Sequence, residues 1–251
     1  MKSTRDNFFT RTISTMYLIW FIIFVLSYLL IRLRIDHIGG MNDEKRRHYR
    51  KWYMGVCRRL FTRMPFNTVT IKNPYGETLE KPALCICNHV SLLDAPFLMG
   101  RTTKLMMVTE KEVFANPFFG PFVRMTECLN VSEGVTKTKE RIKEWMDKGY
   151  SVLIFPEGQR TYHGRIQRFH TGAFRIAADL GCDVVPVCTR GLFTALRPKT
   201  LVLHPCPLEL EIGKRFTVPK DADIFAFAKE QQARYTLACP GPGQDHEPHA
   251  L

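Results

Sequence analysis

Apolar positions along the chain fall into distinct regimes. From Ile13 to Ile31 there are 19 residues without a charge, interrupted only by Ser14, Thr15 and Ser27 and carrying Tyr17, Trp20 and Tyr28 among aliphatic residues. Wound as a helix, this run reaches roughly 28 Å at about 1.5 Å per residue, close to the roughly 30 Å of a bilayer's hydrocarbon core. It predicts a helix that crosses a membrane or lies within one leaflet. From Asn42 to Arg63, cations interleave with Tyr49, Trp52, Tyr53, Leu60 and Phe61. That mixture suits a second helix at the headgroup layer, with a solvated linker helix as the plainer reading.

After Arg63 short β-like runs alternate with helical ones. Val69 and Ile71 alternate with polar neighbours before a turn at Asn73-Pro74-Tyr75-Gly76. Ala83–Cys87, Leu105–Val108, Ser151–Phe155 and Asp183–Cys188 read as buried strands. Leu201–Leu203 and the alternating Leu208, Leu210 and Ile212 read as closing strands. Helical faces recur at Val135, Ile142, Trp145 and Met146, ending at Gly149, and at Phe169, Ala173, Ile176, Ala177 and Leu180, ending at Gly181. A last helix is predicted from Asp223 to Leu237. The pattern implies an α/β fold with a mixed β-sheet flanked by helices and an N-terminal membrane-associated helical segment. Its expected division is anchoring helices at 1–63, the α/β domain at 64–237 and a disordered Pro/Gly-rich tail at 238–251.

Charge changes the picture. The chain of 251 residues has 36 Lys plus Arg against 24 Asp plus Glu, a formal charge of +12, so an anionic partner is expected. Lys2, Arg5 and Arg11 precede the apolar run, but Arg32, Arg34, Lys45, Arg46, Arg47, Arg50 and Lys51 follow it. The heavier positive flank stays cytoplasmic, which predicts a membrane protein whose catalytic domain is on the cytoplasmic side. Arg32-Leu33-Arg34 follows the apolar run directly, where a signal peptide would need small residues for cleavage. The eight cysteines show no CxxC pair and no zinc-ligand spacing, so reduced thiols, mostly in the core, are expected.

Two constellations stand at strand ends. Asn88-His89-Val90-Ser91-Leu92-Leu93-Asp94 follows the strand ending at Cys87. Five residues of ideal helix rotate by about 500°, which leaves His89 and Asp94 roughly 140° apart. A contact between them therefore requires His89 to lie outside the helix and curl back. In contact, Asp94 fixes the imidazole tautomer and leaves the other ring nitrogen free to take a proton from a hydroxyl. The alternative is a structural His beside an Asp in a helix's first turn. Phe155-Pro156-Glu157-Gly158-Gln159-Arg160 follows a second strand. Here Gly158 permits close backbone approach, Glu157 can accept hydrogen bonds from a hydroxylated ligand, and Arg160 can fork onto a phosphate. Arg165, Arg168, His170 and Arg175 add positive potential nearby. A plain turn with surface cations is the competing reading.

Together the motifs resemble the glycerolipid acyltransferase family that includes lysophosphatidic acid acyltransferases. The NHxxxxD pattern stands as Asn88 to Asp94, FPEG as Phe155 to Gly158, and a later apolar-Pro-apolar motif as Val185-Pro186-Val187. The resemblance implies His89 as general base, Asp94 as its orienting partner, and Asn88, Glu157, Gly158 and Arg160 as substrate-binding residues. It further implies transfer of a fatty acyl group from acyl-CoA or acyl carrier protein to the free hydroxyl of a lysolipid at a lipid bilayer, with no metal or other cofactor. Backbone amides near the helix start are expected to stabilise the oxyanion. Ser91 reads as a helix-start residue rather than a nucleophile, since no GxSxG elbow is present. Three positions depart from the family: Glu133 stands where an arginine is expected, Gln159 replaces a Ser or Thr, and His170-Thr171 replaces a lysine. Glu133 repels a phosphate and suits an acceptor amine, which keeps open a lysophosphatidylethanolamine or lyso-amino-acid lipid as acceptor. A non-catalytic basic adaptor for membrane surfaces or nucleic acid is the alternative of a different class; the intact His89 and Asp94 argue for an enzyme without a nucleic-acid partner.

Overall fold

The computed structural model of the chain describes residues 6–39, 42–116, 120–241 and 251. Two long helices, α1 (Phe8–Gly39) and α2 (Asp43–Thr62), lead into β1 (Thr68–Lys72) and β2 (Leu84–Cys87). Then come α3 (Asp94–Met99), β3 (Leu105–Thr109), α4 (Lys111–Ala115), α5 (Gly120–Met125), β4 (Leu129–Asn130), α6 (Val135–Asp147) and β5 (Ser151–Ile154). The chain continues through α7 (Gly172–Leu180), β6 (Asp183–Arg190), α8 (Leu192–Ala195), β7 (Pro207–Ile212), β8 (Phe216–Thr217) and α9 (Ile224–Ala238).

The strands form one sheet in the order β1-β7-β6-β2-β5-β3-β4, with β8 added beside β6. β2 pairs in parallel with both β5 and β6, whereas β7 and β8 run antiparallel to β6. The sheet is therefore mixed. All four residues of β2 are buried, as a central strand covered on both faces requires. Cys85 and Cys87 face a core shared with α2, α3 and Leu18 of α1, and Leu84 and Ile86 face a second core shared with α6, α7 and α9.

Asn42 caps α2 by accepting from the Lys45 amide. The first helix lies against the domain rather than standing free of it. Ser14 Oγ donates to the Pro65 carbonyl, Thr15 Oγ1 accepts from the Leu203 amide at 2.9 Å, and Tyr17 Oη donates to the Leu60 carbonyl at 3.1 Å. Its opposite face exposes Met16, Ile19, Trp20, Ile23 and Phe24. Phe8–Tyr28 is long and apolar enough to cross a membrane.

Three expectations need correction. Leu201–Leu203 forms no strand; a single bridge joins Leu196 to Leu203, and the residues between them make a loop. Phe169 precedes α7 and packs into the core from the loop before it, where its ring stacks with Phe174 and meets Tyr235 edge-on. Cys188 and Cys239 are joined as a disulfide with Cα atoms 6.5 Å apart, since α9 ends against β6; nothing in a separation of 51 residues announces that meeting. The expected tail falls largely outside the described residues, beginning after α9 closes at a buried Ala238.

Candidate active site

The carboxyl ends of three neighbouring strands, β5, β2 and β6, converge on one edge of the sheet, the place where α/β folds hold their ligands. Residues 88–93 leave β2 as a turn, and α3 begins only at Asp94. His89 thus lies outside the helix and curls back, as the rotation argument demands. Its Nδ1 stands 3.0 Å from Asp94 Oδ2. The same oxygen accepts from the amides of Val90 at 2.6 Å and Ser91 at 2.7 Å, and Oδ1 accepts from Thr189 Oγ1 at 3.1 Å. Asp94 is wholly buried, whereas the His89 side chain keeps 22% of its surface exposed. With Nδ1–H donating to Asp94, Nε2 carries the free lone pair. The Phe155 ring stacks on the imidazole with centroids 4.0 Å apart and planes 15° apart, which fixes the ring's tilt.

Glu157 sits beneath this pair. It is 2% exposed, and its two oxygens accept from the His89 amide at 2.7 Å and the Gln167 amide at 2.8 Å. Burial pushes its carboxyl up to about 7, an effect the two backbone donors partly oppose. The expected hydrogen bonds to a hydroxylated ligand are therefore replaced by a tie between the two motifs. A second tie runs from the Thr161 amide to the His89 carbonyl at 3.0 Å.

Asn88 is also redirected. Its amide group donates to the Thr189 carbonyl at 3.0 Å and accepts from the Thr189 amide at 2.8 Å, so at 1% exposure it clamps β6 to the turn instead of facing a ligand. Ser91 does not start a helix by capping it; its hydroxyl donates to the Leu196 carbonyl at 3.1 Å. The amides of Val90, Ser91, Leu93 and Asp94 all find acceptors within the turn, so none of these four is free for an oxyanion. Gly158 is exposed with φ +72°, and a Cβ there would come within 3.1 Å of the His170 ring. Only glycine fits both constraints. Arg160 lies partly buried at the same edge, and its Nε has no hydrogen-bond partner. Thr189 is the residue that motif reading misses: it lies three positions past Pro186, and no spacing rule links it to Asp94.

Glu133 lies on the same edge but toward the side of the sheet. It lines a cavity of about 210 Å³ with Asn130, Lys137 and Arg141, beyond the carboxyl end of β4. β4 stands three strands from β2, about 14 Å at a spacing of ~4.8 Å per strand.

Residues 67–190 match the family model described as Acyltransferase. Similar curated proteins include the 1-acyl-sn-glycerol-3-phosphate acyltransferase of Cocos nucifera, 30% identical over 151 residues that cover 58% of this chain and 48% of that protein. The lyso-ornithine lipid O-acyltransferase of Pseudomonas aeruginosa is 30% identical over 160 residues, covering 62% of this chain and 59% of that one. Among solved structures, the 1-acyl-sn-glycerophosphate acyltransferase PlsC from Thermotoga maritima superposes with a TM-score of 0.68 at 21% identity, over 89% of this chain and 93% of that chain. The match to PlsC shows the same fold. The chain spans about half the length of the curated relatives it matches. The fold is a helix-flanked mixed sheet, and about half of the chain matches the Acyltransferase model. Over residues 67–190 the chain is similar to glycerolipid acyltransferases.

Proposed function

We propose that the protein is an O-acyltransferase that moves a fatty acyl group from an acyl thioester, CoA or acyl carrier protein, to the free hydroxyl of a lysolipid. His89 Nε2 takes the hydroxyl proton as the oxygen attacks the thioester carbonyl, and the thiolate leaves with a proton returned from the imidazolium. Asp94 orients the ring and stabilises its protonated form. The 3.0 Å contact between His89 and a fully buried Asp94 carries this reading. His89→Ala lowers turnover by roughly 10²–10⁴-fold, with unchanged circular dichroism and membrane recovery. Mass spectrometry of acylated lysolipid products from labelled acyl thioester measures the loss; retained turnover removes the assignment of His89.

Two acceptors compete. A 1-acyl-glycerol-3-phosphate is favoured by the name of the Cocos nucifera relative. An acceptor bearing an amine, as a lyso-amino-acid lipid does, is favoured by Glu133 and by the name of the Pseudomonas aeruginosa relative. The carboxylate of Glu133 pairs with an ammonium and repels a phosphate monoester. In a panel of lysolipids Glu133→Arg shifts the ratio of rates toward the phosphate monoester by about tenfold, one favourable charge contact. An unchanged ratio assigns acceptor choice elsewhere.

Membrane association follows α1, and its contacts favour a helix lying in the membrane surface. Ser14, Thr15 and Tyr17, at the start of the apolar run, bond to the domain, and Tyr28 near its end stacks on Trp52 of α2. A helix crossing the bilayer would have to release them. The cationic flank after the run favours the cytoplasmic face.

A further inference from the structure

Between α8 and β7 the chain makes a loop whose two sides are joined by the bridge between Leu196 and Leu203 and by the His204 amide donating to the Ala195 carbonyl at 2.8 Å. Its base is tied down in three directions. Leu196 accepts from Ser91 in the His89 turn, Leu203 donates to Thr15 of α1, and His204 Nδ1 stands 3.3 Å from Asp6 Oδ2 just ahead of α1. Its tip is different. Leu201 and Val202 are 56% and 42% exposed. Arg197 and Lys199 are exposed on the same loop, and the Lys199 ammonium lies 5.5 Å from the centre of the exposed Tyr162 ring, two residues past Arg160.

The apolar surface continues on the other side of α1. Ser14, the neighbour of Thr15, bonds to Pro65, and the next residue, Phe66, is 41% exposed. Among the described residues the non-glycine residues with positive φ are Phe66 at 59°, Glu127 at 57° and Lys199 at 62°. Two of these flank the patch. Such backbone costs on the order of 1 kcal/mol or more for a residue with a Cβ, and it persists where surrounding structure holds it. Phe66, Leu201 and Val202 thus stand exposed on the two segments to which Ser14 and Thr15 of α1 bond, with the exposed cations Arg197 and Lys199 on the same loop. Apolar tips ringed by Lys, Arg and Tyr match the layered chemistry of a lipid surface with anionic headgroups.

We propose that the loop Arg197–Val202, with Phe66, is a second membrane-contact surface beside α1, which inserts its apolar tip among lipids and forms the bilayer-side rim of the active site. The proposal rests on the reading that α1 lies in the membrane surface. Through Leu196 the loop holds the His89 turn, and through Lys199 it touches the segment after Gly158, so lipid contact there sets the level at which the acceptor hydroxyl meets His89.

Photocrosslinking separates the two readings. p-Benzoylphenylalanine is placed in the full chain at position 201, at position 20 on the exposed face of α1, or at position 143 on the solvent side of α6. The protein is then bound to vesicles of phosphatidylglycerol and phosphatidylethanolamine. Phospholipid adducts at 201 and 20, with none at 143, support the proposal. Adducts at 20 without any at 201 overturn the loop's role and leave that of α1 standing, whereas none at 20 overturns both. A protein adduct at 201 in whole membranes, in place of lipid, identifies a protein-docking surface and also overturns the proposal. Independently, Leu201→Asp with Val202→Asp lowers turnover of a vesicle-borne acceptor about tenfold. Turnover of a short-chain acceptor dissolved as monomers stays within about twofold. Equal losses on both acceptors show a structural loop and reject lipid contact.

Discussion

Asp94 gathers four donors from two parts of the chain on two oxygens: the His89 ring and two amides of the same turn, and the Thr189 hydroxyl. Together these donors fix the orientation of the carboxylate, so the imidazole meets a fixed partner and keeps one tautomer. Glu157 does for the backbone of His89 what Asp94 does for its ring, at the expense of burying a carboxyl. Its raised value of about 7, against an ordinary 4.5, has a measurable consequence. Below about pH 4.5 both folded and unfolded chains are protonated here and no penalty exists. As pH rises the unfolded chain loses its proton first, so stability falls, and the full penalty of about 3 kcal/mol is reached above pH 7. Glu157→Gln has no such group. In guanidinium unfolding of the detergent-solubilised protein, the wild type loses that amount relative to the variant between pH 4.5 and 8. A difference that stays flat with pH refutes the shift. Both motifs were legible in the sequence at this scale, but the direction in which Asn88 and Glu157 point was not. Each has the chemistry to hold a ligand, and only the neighbouring backbone donors show that it holds the turn.

At the scale of elements, the site depends on one alignment: β6 must pass β2 in the register that puts Val187 opposite Cys87, so that Thr189 extends just beyond to meet Asp94 and Asn88. Thr189→Val keeps the shape and removes the hydroxyl, leaving Asp94 Oδ1 buried without its donor. Stability falls by about 1–3 kcal/mol, measured by chemical unfolding, and turnover falls with it, while Thr189→Ser keeps both. Loss in the serine variant as well assigns the effect to packing of the methyl group. The other elements were readable because alternation marks β1, continuous apolar runs mark β2, β3 and β5, and a helical face marks α6; α9 also falls within one residue of its expected bounds. β4 and β8, each two residues long, were not, since so short a run has no period. Leu201–Leu203 misled for a different reason: its short apolar run satisfies the strand rule, but Leu201 and Val202 face outward and only Leu203 makes a bridge.

Across the whole molecule, α1 and α2 pack on the face of the sheet that also carries α3, so the apolar stripe of α1 and the edge with His89 are held in one rigid relation. The positive charge of +12 favours an anionic surface, and the exposed stripe supplies the contact that salt cannot screen. Ile19→Asp with Ile23→Asp therefore lowers binding to phosphatidylglycerol vesicles by at least about tenfold at 0.5 M salt, in a co-sedimentation assay, while unfolding midpoints in detergent are unchanged. Equal binding by this variant removes the role given to α1.

Chain order alone determined the apolar helical beginning, the α/β class and the two motifs, because each is a local pattern of polarity or residue type within one element or one turn. Tertiary structure alone decided that α1 lies along the domain, that Thr189 completes the surroundings of Asp94, that Asn88 and Glu157 face inward, and that Cys188 meets Cys239. Each of these is a contact between segments tens of residues apart. Such contacts follow from strand order and register, which polarity patterns within single elements do not encode.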